Sequence, residues 1–285
     1  MEKIVFTNAL GQSLTFGRTR PYILQYVDGA GGLEAEIQMQ KAPFQDGQTY
    51  IDTLVDTRVI SLEVAIVGAD YQEVYQRRSE MLKIMSPKLG RGELVYYYPG
   101  GAKRIVCAVE SAPVFPTGGD NKTRGYQKTI LTLRCPLPFF TDLVRETIKL
   151  EDFVSNFRFP FKFPVYFATR GDFFIINNTG DVPAPISVEF RGPAENPRIT
   201  NVSTGEYIQV NKTLVAGEKL LINTEFGNKS VRYRDVNGIE TNAFGLIDLG
   251  STFFDLELRE NEISFISDSG SPEVYVSYRQ RYLGV

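Results

Sequence analysis

Apolar and polar residues alternate along much of the chain, and such alternation predicts β-strands that bury one face. Segment 58–68 (RVISLEVAIVG) shows it most regularly, since every second residue from Ile60 to Ile66 is apolar. Segment 124–135 (RGYQKTILTLRC) alternates in the same way. The end of the sequence predicts a strand with Val274, Val276 and Tyr278 on one face. These patterns favour a mainly β protein.

Turn residues lie between several of these segments and predict hairpins. The predicted turns are Pro99-Gly100-Gly101 within residues 93–111, Phe226-Gly227-Asn228 within residues 217–234, and Glu260-Asn261 within residues 251–268. No helical pattern separates the strands of the second half. A sandwich of antiparallel strands is therefore favoured there over a doubly wound sheet.

One segment predicts an α-helix, at about residues 70–86. Asp70 is a good N-cap, Glu73 follows it at capping-box spacing, and Pro87 and Gly90 end the segment. The pattern places a set of mostly apolar residues near one face of this helix, with one arginine interrupting them: Tyr71, Val74, Arg78, Met81, Leu82 and Met85.

Proline and phenylalanine become frequent after residue 136. The prolines discourage central-strand pairing, and the phenylalanines are too many for a solvated linker. We therefore predict two domains, residues 1–140 and 166–285, joined by an extended connection over residues 141–165. Its aromatic side chains are expected to bury against one domain or against a neighbouring subunit. The length of 285 residues suits two domains.

Composition narrows the possible functions. The chain contains no histidine, which excludes Ser-His-Asp and Cys-His catalysis and removes the commonest metal ligand. The 31 basic and 34 acidic residues form no basic cluster of the kind that binds duplex DNA. No apolar run is long enough to span a membrane, and the N-terminal residues do not form a signal peptide. We expect the protein to be made in the cytoplasm.

A few residues could carry chemistry, and each has a simpler structural interpretation. Asp172, Asp181 and Glu189 could act as paired carboxylates, but nothing in the sequence brings them together. Asp235, Asn237 and Gly238 resemble part of a calcium loop but lack its remaining ligands, so an Asn-Gly turn between two strands is favoured. We predict no catalytic, cofactor-binding or metal-binding residues.

Cysteines and tyrosines in the first half also allow two interpretations. Cys107 and Cys135 lie in alternating apolar segments, which favours small buried thiols over a disulfide. Tyr96 and Tyr98 should face one way along a strand and Tyr97 the other. A stacking platform for sugars or bases remains the alternative to a core role for one face of that strand.

An ordered series of short motifs resembles one protein family along nearly the whole chain. In the first half the motifs are Phe6-Thr7-Asn8 with Gly11 and Leu14, the strand over 58–67, the helix with Arg77-Arg78, Leu94-Val95-Tyr96, and Leu133 to Phe140. In the second half they are Asn177 to Asp181, Pro185-Ile186, Phe190 to Gly192, Pro197 to Asn201, Gly217 to Asn223, Leu246 to Ser251, and Tyr282 to Val285. The sequence resembles the distal tail proteins of long-tailed, non-contractile bacteriophages and related prophages. One departure is Arg259-Glu260-Asn261, where the family pattern leads us to expect a glycine beside the asparagine.

The resemblance implies a structural role in the virion. It implies an N-terminal, sandwich-like β-domain with one helix that forms a hexameric ring, and a galectin-like C-terminal sandwich that projects outward. The ring would join the tail tube to the hub or baseplate at the tail tip, with the tube, tape measure and hub proteins as partners. The resemblance implies no catalytic residues and no cofactor. The alternative function is a carbohydrate-binding module, against which the absence of tryptophan counts.

Overall fold

The computed structural model describes residues 2–150 and 173–285, and these form two compact units. Residues 2–143 and Tyr282–Val285 make up the first unit, and the described residues of Val144–Arg281 make up the second. Most of the predicted connection over 141–165 lies outside the described residues. Its beginning contains a strand, Glu146–Leu150, which belongs to the second unit.

The first unit combines one helix with a large antiparallel sheet. Its helix is α1 (Tyr71–Ile84), followed by a short 3-10 turn at Pro87–Leu89. Its strands are β1 (Lys3–Thr7), β2 (Ser13–Phe16), β3 (Tyr22–Asp28), β4 (Ala35–Gln40), β5 (Thr49–Val55), β6 (Arg58–Val67), β7 (Arg91–Tyr98), β8 (Gly101–Val109), β9 (Lys122–Thr123), β10 (Tyr126–Cys135) and β11 (Phe140–Asp142).

The large sheet of the first unit curls back on itself. Its main path runs β2-β1-β7-β8-β10-β6-β3, and the Leu24 backbone N–H donates to the Gly17 carbonyl at 2.7 Å, which brings the two ends of the path together. The enclosed core includes Phe6, Phe16 and Leu62, all at most 1% exposed. The predicted strand over 58–68 and the turn at Pro99-Gly100 are confirmed by β6 and by the β7–β8 hairpin.

Helix α1 begins as its sequence predicts. The Asp70 carboxylate accepts a hydrogen bond from the Glu73 N–H at 2.9 Å, and Glu73 accepts one from the Ala69 N–H at 2.8 Å. The first bond satisfies a backbone donor that the first turn of a helix leaves without a partner, and the second ties Glu73 to the residue before the N-cap. The predicted single apolar face is only partly right. Val74 and Met81 are buried, whereas Tyr71 and Leu82 are 50% and 42% exposed and lie on a second face.

The second unit is a sandwich of antiparallel sheets. Its strands are β12 (Glu146–Leu150), β13 (Phe174–Asn178), β14 (Ala184–Arg191), β15 (Ala194–Glu195), β16 (Arg198–Asn201), β17 (Glu206–Gln209), β18 (Thr213–Leu214), β19 (Lys219–Asn223), β20 (Ser230–Arg234), β21 (Glu240–Asn242), β22 (Asp255–Leu256), β23 (Arg259–Ile266), β24 (Ser269–Gly270) and β25 (Glu273–Tyr278), with a 3-10 turn at Phe244–Leu246.

Two sheets enclose the core of the second unit. One runs β12-β25-β14-β19-β20-β21 with β22 beside β14, and the other runs β13-β23-β16-β17. Alternate residues of β14 and β25 point inward, and Phe190, Val274 and Val276 are fully buried between the sheets. The expected sandwich, the turn at Phe226-Gly227-Asn228 and the inward face of β25 are therefore confirmed.

The turn predicted at Glu260-Asn261 is wrong. Both residues lie inside β23 and pair with β13, and the chain leaves the strand conformation earlier, between β22 and β23. Arg259 has φ +75°, the left-handed conformation that favours glycine. The polar residues Glu260 and Asn261 are typical of a turn, which is why the sequence predicts one. In the structure the buried Asn261 side chain does bond to the backbone of Glu257, as it would in a turn, but the Asn261 backbone lies in the sheet.

The last residues of the sequence return to the first unit. Strand β26 (Arg281–Tyr282) pairs with β11, and the Tyr282 hydroxyl donates to the Asp142 carboxylate at 3.2 Å. Further along, the Val285 N–H donates to the Ala30 carbonyl at 3.1 Å. The second unit is therefore an insertion within the sequence of the first.

Candidate assembly surfaces

Strands β4 and β5 form a two-stranded sheet of their own, separate from the curled sheet. We call this hairpin, residues 35–55, the arm. Every residue of both strands is exposed to solvent. Isolated two-stranded hairpins are only marginally stable in water, so an element of this kind indicates a missing partner. Sequence reasoning overlooked the arm, although the alternation in Ala35–Gln40 (AEIQMQ) was a usable signal.

The register gives the arm two chemically different faces. Ala35 pairs with Val55, Ile37 with Thr53 and Met39 with Tyr50, so these side chains share one face. Ile37, Met39 and Tyr50 are each more than half exposed. An antiparallel ribbon normally packs such an apolar face against the rest of its protein. Here no described residue covers it.

The opposite face of the arm is acidic. Glu36 lies opposite Leu54 and Gln38 opposite Asp52, and the alternation places Glu34 and Asp56 on the same side. Residues 34–56 contain five carboxylates and one lysine, and within the described part of the chain these carboxylates form no ion pair. This face is therefore suited to remain in water while the apolar face is covered.

The tip of the arm presents one aromatic side chain. Phe44 is fully exposed and has φ +64°, a left-handed conformation that costs a non-glycine residue about 1–2 kcal/mol. The backbone around it is ordered by two hydrogen bonds between Ala42 and Gln45, at 3.0 and 3.2 Å. Strained, exposed residues of this kind are typical of binding sites.

A buried arginine fixes the base of the arm. Arg58 is 3% exposed, and its guanidinium donates to the carbonyl oxygens of Pro138, Gly29 and Leu283, with longer bonds of 3.4–3.5 Å to Gly32 and Gly31. Burial lowers the pKa of Arg58, although the nearby Cys135 opposes this shift. We call Arg58 and its carbonyl acceptors the base knot. It holds the loop that leads into β4.

The exposed face of α1 carries a stripe of mixed aromatic and basic side chains. Tyr71, Tyr75, Arg78 and Leu82 follow one another at helical spacing, and Lys122 lies beside them. The Lys122 ammonium donates to the Tyr75 hydroxyl at 2.8 Å, which lowers the pKa of Tyr75. The Arg78 guanidinium lies 4.7 Å from the centre of the Tyr75 ring. We call these five residues the helix stripe.

Ion pairs cross the exposed face of the larger sheet in the second unit. Lys149 pairs with Glu273 at 2.7 Å, Arg191 with Glu189 at 2.6 Å and Lys219 with Glu189 at 3.0 Å. Burial raises the pKa of Glu189, but the hydrogen bonds from Arg191 and Lys219 outweigh it and leave that pKa lowered. This network keeps the face polar and solvated.

An open cavity of about 380 Å³ lies at the β20–β21 end of the same sheet. Arg232, Glu240 and Asn242 supply polar groups to it, and Phe244 forms one wall. The Phe244 ring is 45% exposed and stacks on Phe253 with 5.6 Å between ring centres. An exposed ring beside polar side chains is a composition that sugar-binding sites use.

The structure gives the predicted candidate residues ordinary structural roles. Glu189 belongs to the ion-pair network, Asp181 lies in the turn before β14, and Asp172 lies outside the described residues. Asp235 accepts hydrogen bonds from the N–H groups of Asn237 and Ile239, which confirms the turn between β20 and β21. Where the structure describes the chain, it groups no three side chains able to bind a metal.

The structure also describes the two cysteines and the three consecutive tyrosines. Cys107 and Cys135 are buried free thiols, as predicted. Tyr96 and Tyr98 share a face, with 6.5 Å between ring centres, whereas Tyr97 lies under Lys3 on the other side. Tyr96 packs against the core of the first unit. Across 2–150 and 173–285, no helix is long and apolar enough to cross a membrane.

Two family models match successive parts of the chain. Residues 9–135 match the phage tail protein RIFT-related domain, and residues 179–282 match the C-terminal domain of the siphovirus-type tail component. The chain belongs to the distal tail protein (Dit) family. Members of this family are structural proteins of the phage tail. No curated protein matches the chain.

Solved structures of phage tail proteins show the same fold. The crystal structure of the SPP1 Dit (gp 19.1) protein, described as a paradigm of the hub adsorption apparatus in phages that infect Gram-positive bacteria, matches with a TM-score of 0.71 at 11% identity. The match covers 98% of this chain and 99% of that one. A chain of the phage P2 baseplate in its activated conformation with Ca matches with a TM-score of 0.59 at 12% identity, covering 100% and 99%.

Proposed function

We propose that this Dit-family protein forms a ring, with six copies, at the distal end of a phage tail and there connects the tail tube to the hub of the tail tip. In this role the protein acts by self-assembly and docking, without catalysis, and is located in the virion after synthesis in the host cytoplasm. Its partners are further copies of itself, the tube protein, the tape measure protein and the hub protein.

The arm is the observation that carries the ring proposal. It exposes an apolar face that includes Ile37, Met39 and Tyr50, and among the described strands β4 and β5 pair only with each other. Covering this face with a second copy would remove apolar surface from water, and each Å² buried stabilises the contact by about 25 cal/mol. An arm that docks on a different surface of the next copy makes a heterologous contact, and heterologous contacts that repeat by rotation close into rings.

The two solved structures support the location of the ring. SPP1 Dit is described as part of a hub adsorption apparatus, and the P2 chain belongs to a baseplate. The matches cover 98% and 100% of this chain, so both of its units have counterparts there. Hubs and baseplates are assemblies of several proteins, which fits a role for this chain as a connector.

The test is the mass of the purified full-length protein, measured by light scattering and native mass spectrometry, together with electron micrographs. We expect a six-copy ring in the wild type. Ile37→Ser with Met39→Ser should yield monomers, whereas Leu54→Ser, on the acidic face of the same arm, should leave the ring intact. A wild type that stays monomeric at high concentration, or rings unaffected by the paired substitution, would overturn the proposal.

The cavity at Phe244 favours a second function, in which the second unit binds carbohydrate on the host surface. The exposed ring would stack on a sugar, while Arg232, Glu240 and Asn242 would bond to its hydroxyl groups. The test is a glycan array followed by calorimetry. Phe244→Ala should abolish any binding and Phe226→Ala, another exposed ring, should not. An array without any bound glycan would refute this function.

A further inference from the structure

We propose that the tip of the arm docks on the helix stripe of the neighbouring copy, with Phe44 between Tyr71 and Tyr75 and with Asp46 facing Lys122. This inference rests on the proposed ring, because it names the surface that receives the arm. The occupant of the helix stripe is thus a second copy of this chain.

The helix stripe has the composition of an interface centre. Tyrosine and arginine are the residues most enriched at binding hot spots, and here two tyrosines and an arginine are adjacent. Tyr71 and Tyr75 are about half exposed, and Leu82 extends the apolar part of the stripe. The sequence predicts Tyr71 and Leu82 near one helix face with Val74 and Met81, but both are exposed and leave apolar surface that the fold of one copy does not cover.

The charges of the helix stripe are not neutralised within the described residues. Arg78 donates to the amide of Gln127 and stacks on Phe115, and Lys122 donates to the Tyr75 hydroxyl, but neither cation has a carboxylate within ion-pair distance there. Several other cations of the first unit do have a carboxylate partner, for example Lys128 with Glu63 at 2.6 Å. A stripe with two unpaired cations attracts an acidic partner.

The arm supplies the complementary chemistry. It has five carboxylates and one lysine over residues 34–56, so its net charge draws it towards a cationic surface. Asp46 lies two residues from Phe44 at the tip, where both side chains are exposed. A phenylalanine that is already held in one backbone conformation loses little further freedom on binding, which suits it as an anchor.

Charge exchange across the contact tests the docking site. Lys122→Glu and Asp46→Lys should each weaken assembly of the full-length protein at least about tenfold in the dissociation constant, measured by light scattering on dilution. The two substitutions in one chain should restore assembly, because the ion pair forms again in reverse. Lys83→Glu makes the same charge change on an exposed part of α1 away from the stripe and serves as the matched control.

The outcomes separate this inference from the proposed ring. If the wild type forms rings and neither single substitution weakens them, or if the double substitution restores nothing, the arm docks elsewhere and the ring proposal stands. A monomeric wild type overturns both. Circular dichroism verifies that the variants fold, and Tyr71→Ala, which changes no charge, should weaken assembly independently of the exchange.

Discussion

Arg58 and Leu283, which lie 225 positions apart in the sequence, are joined by a hydrogen bond from the guanidinium to the carbonyl oxygen. The same guanidinium bonds to Gly29 at the start of the loop that leads into the arm. The end of the sequence and the base of the arm are therefore held by one side chain. Gly29 has φ +79°, and a Cβ there would lie 1.9 Å from the Val59 carbonyl oxygen, so only glycine fits this loop.

Loss of Arg58 from the base knot should destabilise the folded protein. Arg58→Ala leaves several buried carbonyls without donors, and we expect a loss of about 3 kcal/mol or more in the free energy of unfolding. Arg58→Lys keeps the charge but not the planar fork of donors, so it should remain clearly destabilising. Because the chain has no tryptophan, urea denaturation is best followed by circular dichroism.

Arg134→Ala is the control for the base knot, since this exposed arginine on the neighbouring strand pairs with Glu110 at the surface. It should change stability little. If the Arg58 and Arg134 substitutions lower the free energy of unfolding equally, the hydrogen bonds from Arg58 to the buried carbonyls contribute no more than a surface ion pair.

Arg259→Gly should stabilise the second unit. The φ of +75° strains an arginine but not a glycine, and relief of this strain exceeds the extra chain entropy of glycine, for a net gain of about 0.5–1 kcal/mol. Thermal melting of the full-length protein measures it. The reverse change at a similar turn, Gly238→Ala at φ +84°, should destabilise. A lower melting temperature for Arg259→Gly would contradict the explanation.

Acid should weaken the ion-pair network of the second unit. Since Arg191 and Lys219 lower the pKa of Glu189 in the folded state, the contribution of this carboxylate is complete above its unfolded pKa near 4.5 and is lost as pH falls through the lower folded value. Glu189→Gln should cost about 0.5–1 kcal/mol at pH 7 and should flatten the fall in melting temperature below pH 4.5.

Glu257→Gln serves as the comparison for the acid experiment, because Glu257 is an exposed carboxylate outside the network. It should leave the pH dependence unchanged. If Glu189→Gln melts with the same pH dependence as the wild type, the network does not contribute to acid stability.

The two cysteines should resist thiol reagents in the folded protein. Both are 0% exposed, and the register of β8 and β10 continues to place them opposite one another. The hydrogen bond with Cys135, together with burial, raises the pKa of Cys107, which suppresses the reactive thiolate. Ellman's reagent should detect no thiol in buffer and two in denaturant, and prompt labelling of the native protein would contradict this burial.

Period-two alternation predicted the strands that bury one face, such as β6, β10 and β25, because burial and pattern coincide there. The arm was not predicted, and its alternating apolar residues do not pack against a core within one copy. The sequence groups Tyr71 and Leu82 with Val74 and Met81 near one helix face, because an apolar side chain gives the same pattern whether it faces its own core or another molecule. The left-handed conformation of Arg259 could not be predicted from its residue type, because arginine rarely adopts a positive φ.

The insertion of the second unit also orders events during synthesis. A ribosome completes residues 2–143 long before it reaches Tyr282, and at about 5–20 residues per second the wait lasts several seconds or more. Throughout that time Arg58 lacks the Leu283 carbonyl and Ala30 lacks the Val285 N–H. The nascent first unit therefore completes the base of its arm only after Leu283 and Val285 have been synthesised and have left the ribosome.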